Sequence, residues 1–193
     1  MFVRDRVASG SAEQALRIER IVSEHADAVW RTARRLGVPL RDLEDVAQEV
    51  MVVVFRRIRD IEHARERAFV LGTTARVCAN WRRSLRRHPE DPSETVDEVA
   101  GASLHAAPAN DGERRLEQSE KLVILDRALS EMNEGQRVSF VMFELEQMTA
   151  REIAHELALS EATIVSRVRR AREVFWQTCR SHGLPTPSGA RST

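Results

Sequence analysis

Residues Thr149–Phe175, TAREIAHELALSEATIVSRVRRAREVF, read as helix, tight turn, helix. Thr149 caps the first helix, and Glu152 three residues on completes a T-x-x-E capping box, each side chain satisfying a backbone N–H left free in the first turn. Ile153, Ala154 and Leu157 form its apolar stripe. Leu159 and Ser160 break the pattern, and Ser160 caps the second helix. In that helix Ile164, Val168, Ala171 and Phe175 recur at helical spacing and face inward, while Thr163, Ser166, Arg167 and Arg170 fall on the opposite face. Two short helices, the second basic outside, make the pattern of a helix-turn-helix whose recognition helix enters the major groove of DNA. A plain helical hairpin with a solvated arginine face shares that spacing, so the rest of the chain has to decide between them.

With 193 residues the chain has room for one or two small domains with cores of their own. No apolar run is long enough to cross a membrane, and the N-terminus lacks a signal-peptide core, so the sequence reads as a cytoplasmic protein without membrane insertion. Cys78 and Cys179 sit inside helical patterns, without Cys or His partners at ligand spacing; neither a disulfide scaffold nor a metal site is expected. The net charge of zero conceals segregation. Asp42, Glu44, Asp45 and Glu49 form an acidic cluster; Arg76, Arg82, Arg83, Arg86 and Arg87 form a basic one, and Arg167, Arg169, Arg170 and Arg172 another. Local sign governs contact with nucleic acid more than the sum does.

Upstream, a first helix is expected from near Ala12 to Leu36, with Ile18, Ile21, Val22, Val29, Trp30, Ala33 and Leu36 inward and Gly37 as its stop. A second starts at Asp42 and buries Leu43, Val46, Ala47, Val50, Val53, Val54 and Ile58. Its run Val50–Phe55 has strand-like propensity, but the flanks keep helical period and no turn bounds it. After a charged connection over 59–67, a third helix covers about 68–87, with Val70, Thr74, Val77, Cys78, Trp81 and Leu85 as core and Thr73, Arg76, Asn80, Arg83 and Arg87 outside. Residues 88–112 lose all apolar period and gain Pro, small and acidic residues, which reads as an acidic interdomain linker able to shield a basic face. A helix with Leu116, Leu122, Val123, Leu125, Asp126 and Leu129 comes next, then one from Glu134 with Val138, Phe140, Val141, Phe143 and Leu145 for its core, then the helix-turn-helix pair. The tail from Gly183 has a disordered composition. The fold class is therefore all-α: two small helical domains, 12–88 and 113–182, joined by a flexible linker over 89–112, the second carrying the helix-turn-helix, with a tail over 183–193.

In this order the parts resemble an alternative sigma factor of bacterial RNA polymerase, of the compact extracytoplasmic-function (ECF) group, over about Ile18–His182 without the linker. DLEDVAQEVMVVVFRR, Asp42–Arg57, is similar to the family's acidic helix that binds the clamp of the polymerase's largest subunit, and SEATIVSRVRRAR, Ser160–Arg172, to its recognition helix for the upstream promoter element. The resemblance implies polymerase contacts at Asp42, Asp45, Gln48 and Glu49, downstream-element contacts at Arg76, Asn80, Arg83 and Arg87, and upstream-element contacts at Thr163, Ser166, Arg167 and Arg170, with Arg169 and Arg172 on phosphates. Asn80 stands where the family carries an acidic residue. It also implies core RNA polymerase, promoter DNA and an anti-sigma factor as partners, and no cofactor.

A helix-turn-helix regulator that binds DNA without core polymerase explains the C-terminal half but leaves the acidic helix and the arginine-rich third helix without a purpose; binding to bare core polymerase separates the two. An enzyme is not expected. The chain shows no nucleophile–base pairing, no metal spacing and no Gly-rich phosphate loop, and His25, His155 and His182 are scattered.

Overall fold

The computed structural model describes residues 2–87 and 112–185; the expected linker and most of the expected tail fall outside them. Among the described residues all regular structure is helical: α1 (Phe2–Arg35), α2 (Leu43–Arg57), α3 (Glu66–Arg87), α4 (Gly112–Glu131), α5 (Glu134–Phe140), α6 (Ala150–Leu157) and α7 (Glu161–Ser181). Short 3₁₀ turns sit at Leu40–Asp42, Ile58–Asp60 and His63–Arg65, and one π turn spans Val141–Leu145. The Val50–Phe55 run is helical, as its flanks required, because Val50 and Val54 fall one turn apart on the fully buried side.

In the N-terminal half α1, α2 and α3 pack around Ile21, Val29, Ala33, Leu36, Leu43, Val46, Val50, Val54, Leu71 and Cys78, all nearly inaccessible. Gly37 ends α1 with φ +91°, a backbone only glycine adopts without strain, and its N–H bonds the Arg34 carbonyl. α1 starts at Phe2 rather than near Ala12. Gly10 is a weak interruption, costing about 1 kcal/mol against Ala, and nothing else before Gly37 stops a helix. Asp42 occupies the N-cap position of α2 but makes no capping bond; its Oδ2 lies 3.7 Å from Arg41 Nε instead.

The expected core needs correction on four helices. Trp30 is 36% and Leu85 50% exposed, and Val53 is half-buried. On α4 the stripe is Ile124, Leu125, Ala128 and Leu129, continued by Met132 just past its end, an i, i+4 ladder, while Leu122 and Val123 stand out of it. Thr73, expected outside, is buried. The reason is that α3 is covered on two sides: α1 and α2 pack on one, and α6 of the C-terminal half packs on the other.

Buried Glu66, at the start of α3, ties the N-terminal half together. Arg17 Nε and Arg20 Nη2, both from α1, donate to its two carboxylate oxygens at 2.7 Å. Arg17 also donates to the carbonyls of Ile58 (2.9 Å) and Ile61, pinning the connection between α2 and α3 to α1. Burial pushes the Glu66 carboxyl up, but the two guanidiniums outweigh it and hold it below the usual carboxylate range. A depressed carboxylate adds stability that is present above the unfolded pKa of about 4.3 and is lost as pH falls through the folded value. Glu66→Gln is therefore expected to lower the urea midpoint at neutral pH, with the gap from the unmodified chain closing as pH is lowered below about 4; a pH-independent gap would show that packing alone is at stake.

Candidate nucleic-acid interface

Three surfaces carry the residues expected to act. On α2, Glu44, Asp45, Gln48 and Glu49 are exposed and Asp42 is half-buried, so the acidic cluster forms one solvent-facing side of a helix whose other side is core. Gln48 Nε2 lies 3.4 Å from Glu44 Oε1. Glu49 also borders an open groove lined by Asn80, Trp81, Arg83, Ser84, Arg86 and Arg87 from the end of α3. The acidic and basic surfaces thus meet at that residue.

The downstream set divides in two. Asn80, Arg83 and Arg87 are exposed on the last turns of α3, where Arg83 donates to the Asn80 side-chain carbonyl oxygen and Arg87 Nε donates to the Arg83 carbonyl at 3.4 Å. Arg76, one turn earlier, is engaged otherwise. Its Nη1 donates to the backbone carbonyl of Glu156 and lies 3.7 Å from that residue's Oε2; its Nη2 donates to Thr73 Oγ1 at 3.0 Å; and its guanidinium sits 5.8 Å from the Phe69 ring centre.

The helix-turn-helix is built as its sequence requires. Thr149 Oγ1 accepts from the Glu152 N–H at 3.2 Å, and Glu152 Oε2 accepts from the Thr149 N–H at 2.8 Å and its hydroxyl at 2.7 Å. Those bonds to Thr149 outweigh burial and hold the Glu152 carboxyl below its ordinary range. Ala158 makes the turn at φ +53°, and Ser160 Oγ accepts from the Thr163 N–H at 3.1 Å to start α7. A second capping box, Asn133 with Gln136, starts α5. Ile153, Ala154, Ile164, Val168 and Ala171 lock α6 and α7 together.

On the outward side of α7, Thr163 and Ser166 are half-buried and Arg169 and Arg170 exposed. Arg167 is half-buried and lies along α5: a Cβ placed on Gly135 would be 3.1 Å from its guanidinium carbon. Arg172 donates to Glu144 Oε1 at 2.6 Å and lies 5.7 Å from the Phe143 ring centre. The four expected upstream residues therefore share one helix face, but their freedom differs, and Arg170 has the most.

Two residues that sequence reading missed are the buried carboxylates Glu146 and Glu156. Glu146 accepts from Arg35 (3.1 Å) and Arg67 (3.2 Å), and Glu156 from Arg65 (3.0 Å). Both sit beside apolar core positions, Leu145 and Ile153 one turn away or less, which was the available signal. Burial raises the Cys78 thiol to about 12 and raises that of Cys179 as well, so both behave as small core residues. Among the described residues no group of His, Cys, Asp or Glu is placed to hold a metal ion, and no helix is long and apolar enough to cross a membrane.

Sequence comparison matches residues 21–88 to sigma-70 region 2 and residues 122–174 to sigma-70 region 4. The chain is 27% identical over 175 residues to the ECF RNA polymerase sigma factor SigE of Mycolicibacterium smegmatis, covering 89% of this chain and 65% of that protein. It is 26% identical over 189 residues to the ECF RNA polymerase sigma factor SigL of Mycobacterium tuberculosis, covering 93% and 98%. Among solved structures, the sigma factor RpoE in complex with the anti-sigma factor NepR from Bartonella quintana has the same fold, with a TM-score of 0.64 at 17% identity over 84% of this chain and 96% of that one. CnrH in complex with the cytosolic domain of CnrY gives 0.59 at 23%, covering 85% and 88%.

Thr149→Ala removes both the acceptor for the Glu152 N–H and the hydroxyl bonded to that carboxylate. The expected loss is about 1 kcal/mol, read as a lower urea midpoint at unchanged slope.

Proposed function

Since the chain belongs to the ECF group of sigma-70 factors, we propose that it docks on core RNA polymerase through the exposed side of α2 and reads two promoter elements with α3 and α7. The observation that carries this reading is the pairing of region 2 and region 4 in one chain, with the acidic side of α2 open to solvent. The division of labour follows the two halves, 12–88 and 113–182, with 89–112 as the tether and 183–193 as a tail.

Asp42, Asp45, Gln48 and Glu49 meet basic groups on the polymerase clamp. Exposed charges of this kind steer docking and fix orientation, while apolar neighbours around them carry most of the affinity. Asn80, Arg83 and Arg87, joined by Arg76, meet the downstream element; Thr163, Ser166, Arg167 and Arg170 meet the upstream one. Arg170, exposed and without a contact to another described residue that would hold its guanidinium inward, is the principal base reader, since an arginine bidentate to guanine discriminates by about 1–3 kcal/mol. Arg167 is aimed by its packing along Gly135. Arg169 touches phosphate, which positions without specifying. No chemistry is assigned to the chain itself; it works in the cytoplasm where polymerase is, and an anti-sigma protein is its expected antagonist, as NepR is the partner of RpoE.

Three measurements test this. In vitro transcription with core polymerase on genomic DNA fragments is expected to give specific starts that depend on the chain; a folded chain that binds DNA but never bare polymerase is a regulator of another kind. Charge reversal at Asp45 and Glu49 to arginine is expected to weaken association with core polymerase by roughly tenfold or more while leaving duplex binding intact. Arg170→Ala is expected to erase upstream-element preference; equal weakening on all sequences would make it a phosphate contact.

A further inference from the structure

We propose that Val165 reads a thymine of the upstream promoter element through the methyl group of that base, adding an apolar reader to the polar ones on α7. The inference rests on the assignment of α7 to that element and names one base within it.

α7 turns its apolar side inward, with Ile164, Val168 and Ala171 buried. Val165 follows Ile164 directly and so leaves that side. It is 58% exposed, the most exposed large apolar side chain among the described residues of the C-terminal half. Single exposed apolar residues are ordinary on protein surfaces, so exposure alone argues nothing. The place does. Val165 lies in the second turn of a helix that begins at Glu161. The N-terminal turns of a recognition helix meet the base edges in the major groove, and a short side chain can touch a base only there. Ala162, one turn before, and Arg169, one turn after, are exposed on the same side, and Ser166 beside them is half-buried. Side chains on a helix lean toward its N-terminus, so the long arginines at 169 and 170 reach back alongside Val165. An apolar protein partner would meet one valine among cations at this surface. A DNA groove meets phosphate-seeking charge around a small apolar contact.

The chemistry of the groove names the partner. Each base pair presents donors and acceptors on the major-groove floor, and thymine alone adds a methyl group. The valine side chain has neither donor nor acceptor, so it tells bases apart only by covering that methyl. Helix formation does not account for a valine here. A β-branched residue loses rotamer freedom in a helix, and Ala or Arg would serve an exposed position better. Two of its polar neighbours are less free to read bases: Thr163 Oγ1 lies 2.7 Å from Ser160 Oγ within the cap, and Arg167 lies along Gly135.

The test replaces single thymines of the upstream element by deoxyuridine, which removes the methyl group and keeps the base pair. The element is taken from the starts that the full-length chain directs with core polymerase. Competition binding by that holoenzyme is expected to weaken about fourfold at one thymine, the effect of leaving one methyl uncovered. With Val165→Ala in the holoenzyme, the thymine and uracil duplexes are expected to bind alike at that position, while guanine preference elsewhere in the element persists. A structural role for Val165 would weaken all sequences equally and would not single out one methyl. Ala is the better helix former, so the substitution keeps α7 intact. A holoenzyme that starts specifically yet is indifferent to every uracil overturns the proposal and leaves the assigned function standing. So does a Val165→Ala holoenzyme whose thymine preference is undiminished. Should the chain direct no initiation, the assigned function fails, and the same substitutions are read on duplexes that the chain alone selects from a random pool. A methyl preference lost in Val165→Ala there upholds the proposal; indifference to uracil, or no selected sequence, overturns it.

Discussion

A carboxylate cannot be buried without a cation, and Glu156 and Glu146 are buried. That constraint fixes how the two halves meet. Arg35, Arg65, Arg67 and Arg76 come from α1, from the turn before α3 and from α3 itself, and they converge on two points of the C-terminal half. Hydrophobic contact alone has no such preference. The apolar residues of both halves belong to one continuous buried cluster, and a greasy seam tolerates sliding. The ion pairs supply registration, since a shift of a few ångströms strands a charge in a dry interface. The same pairs make the seam reversible: each buried acid becomes soluble again once it faces water, and no arginine in the seam is itself fully enclosed.

What was legible in the sequence was whatever depends on neighbours in the chain. The caps at Thr149 and Ser160, the Gly37 stop and the buried ladder of α2 rest on residues three or four positions apart, and periodicity reports them directly. The strand-like valines of α2 became helix because the two ends of the run dictated the period. What could not be read was whatever depends on residues distant in the chain. Thr73 is polar and on the outward side of α3, so local pattern sends it to solvent; it is buried because α6, about eighty residues on, lies over it. Leu85 and Trp30 fail in the opposite direction, as apolar residues on the right stripe at places the core does not reach. Apolar neighbours hinted at the burial of Glu146 and Glu156, but a lone glutamate among apolar residues looks like a solvated one until its arginines, 79 to 111 positions away, are known.

Charge neutrality takes on a meaning here. Arginines that suit nucleic acid would repel one another in a compact chain, and segregated patches of one sign destabilise the folded state through self-repulsion. Pairing the basic side of α3 with acids from the other half removes that repulsion in the free chain. The even total is consistent with a molecule that neutralises itself when alone.

The three surfaces also differ in when they are available, and that imposes an order. Asp45, Gln48 and Glu49, the proposed polymerase contacts, are exposed, so the proposed docking needs no prior rearrangement. Asn80, Arg83 and Arg87 are exposed too, at the far end of α3, and can make first contact with phosphates. Arg76 is exposed as well, but its guanidinium is engaged by the Glu156 carbonyl of α6. On the proposed reading, polymerase with duplex promoter DNA would contact α2 at one place and α7 at another, and neither component alone would span both. On that reading Arg76, which would first have to release the Glu156 carbonyl, would be the last of its set to meet DNA.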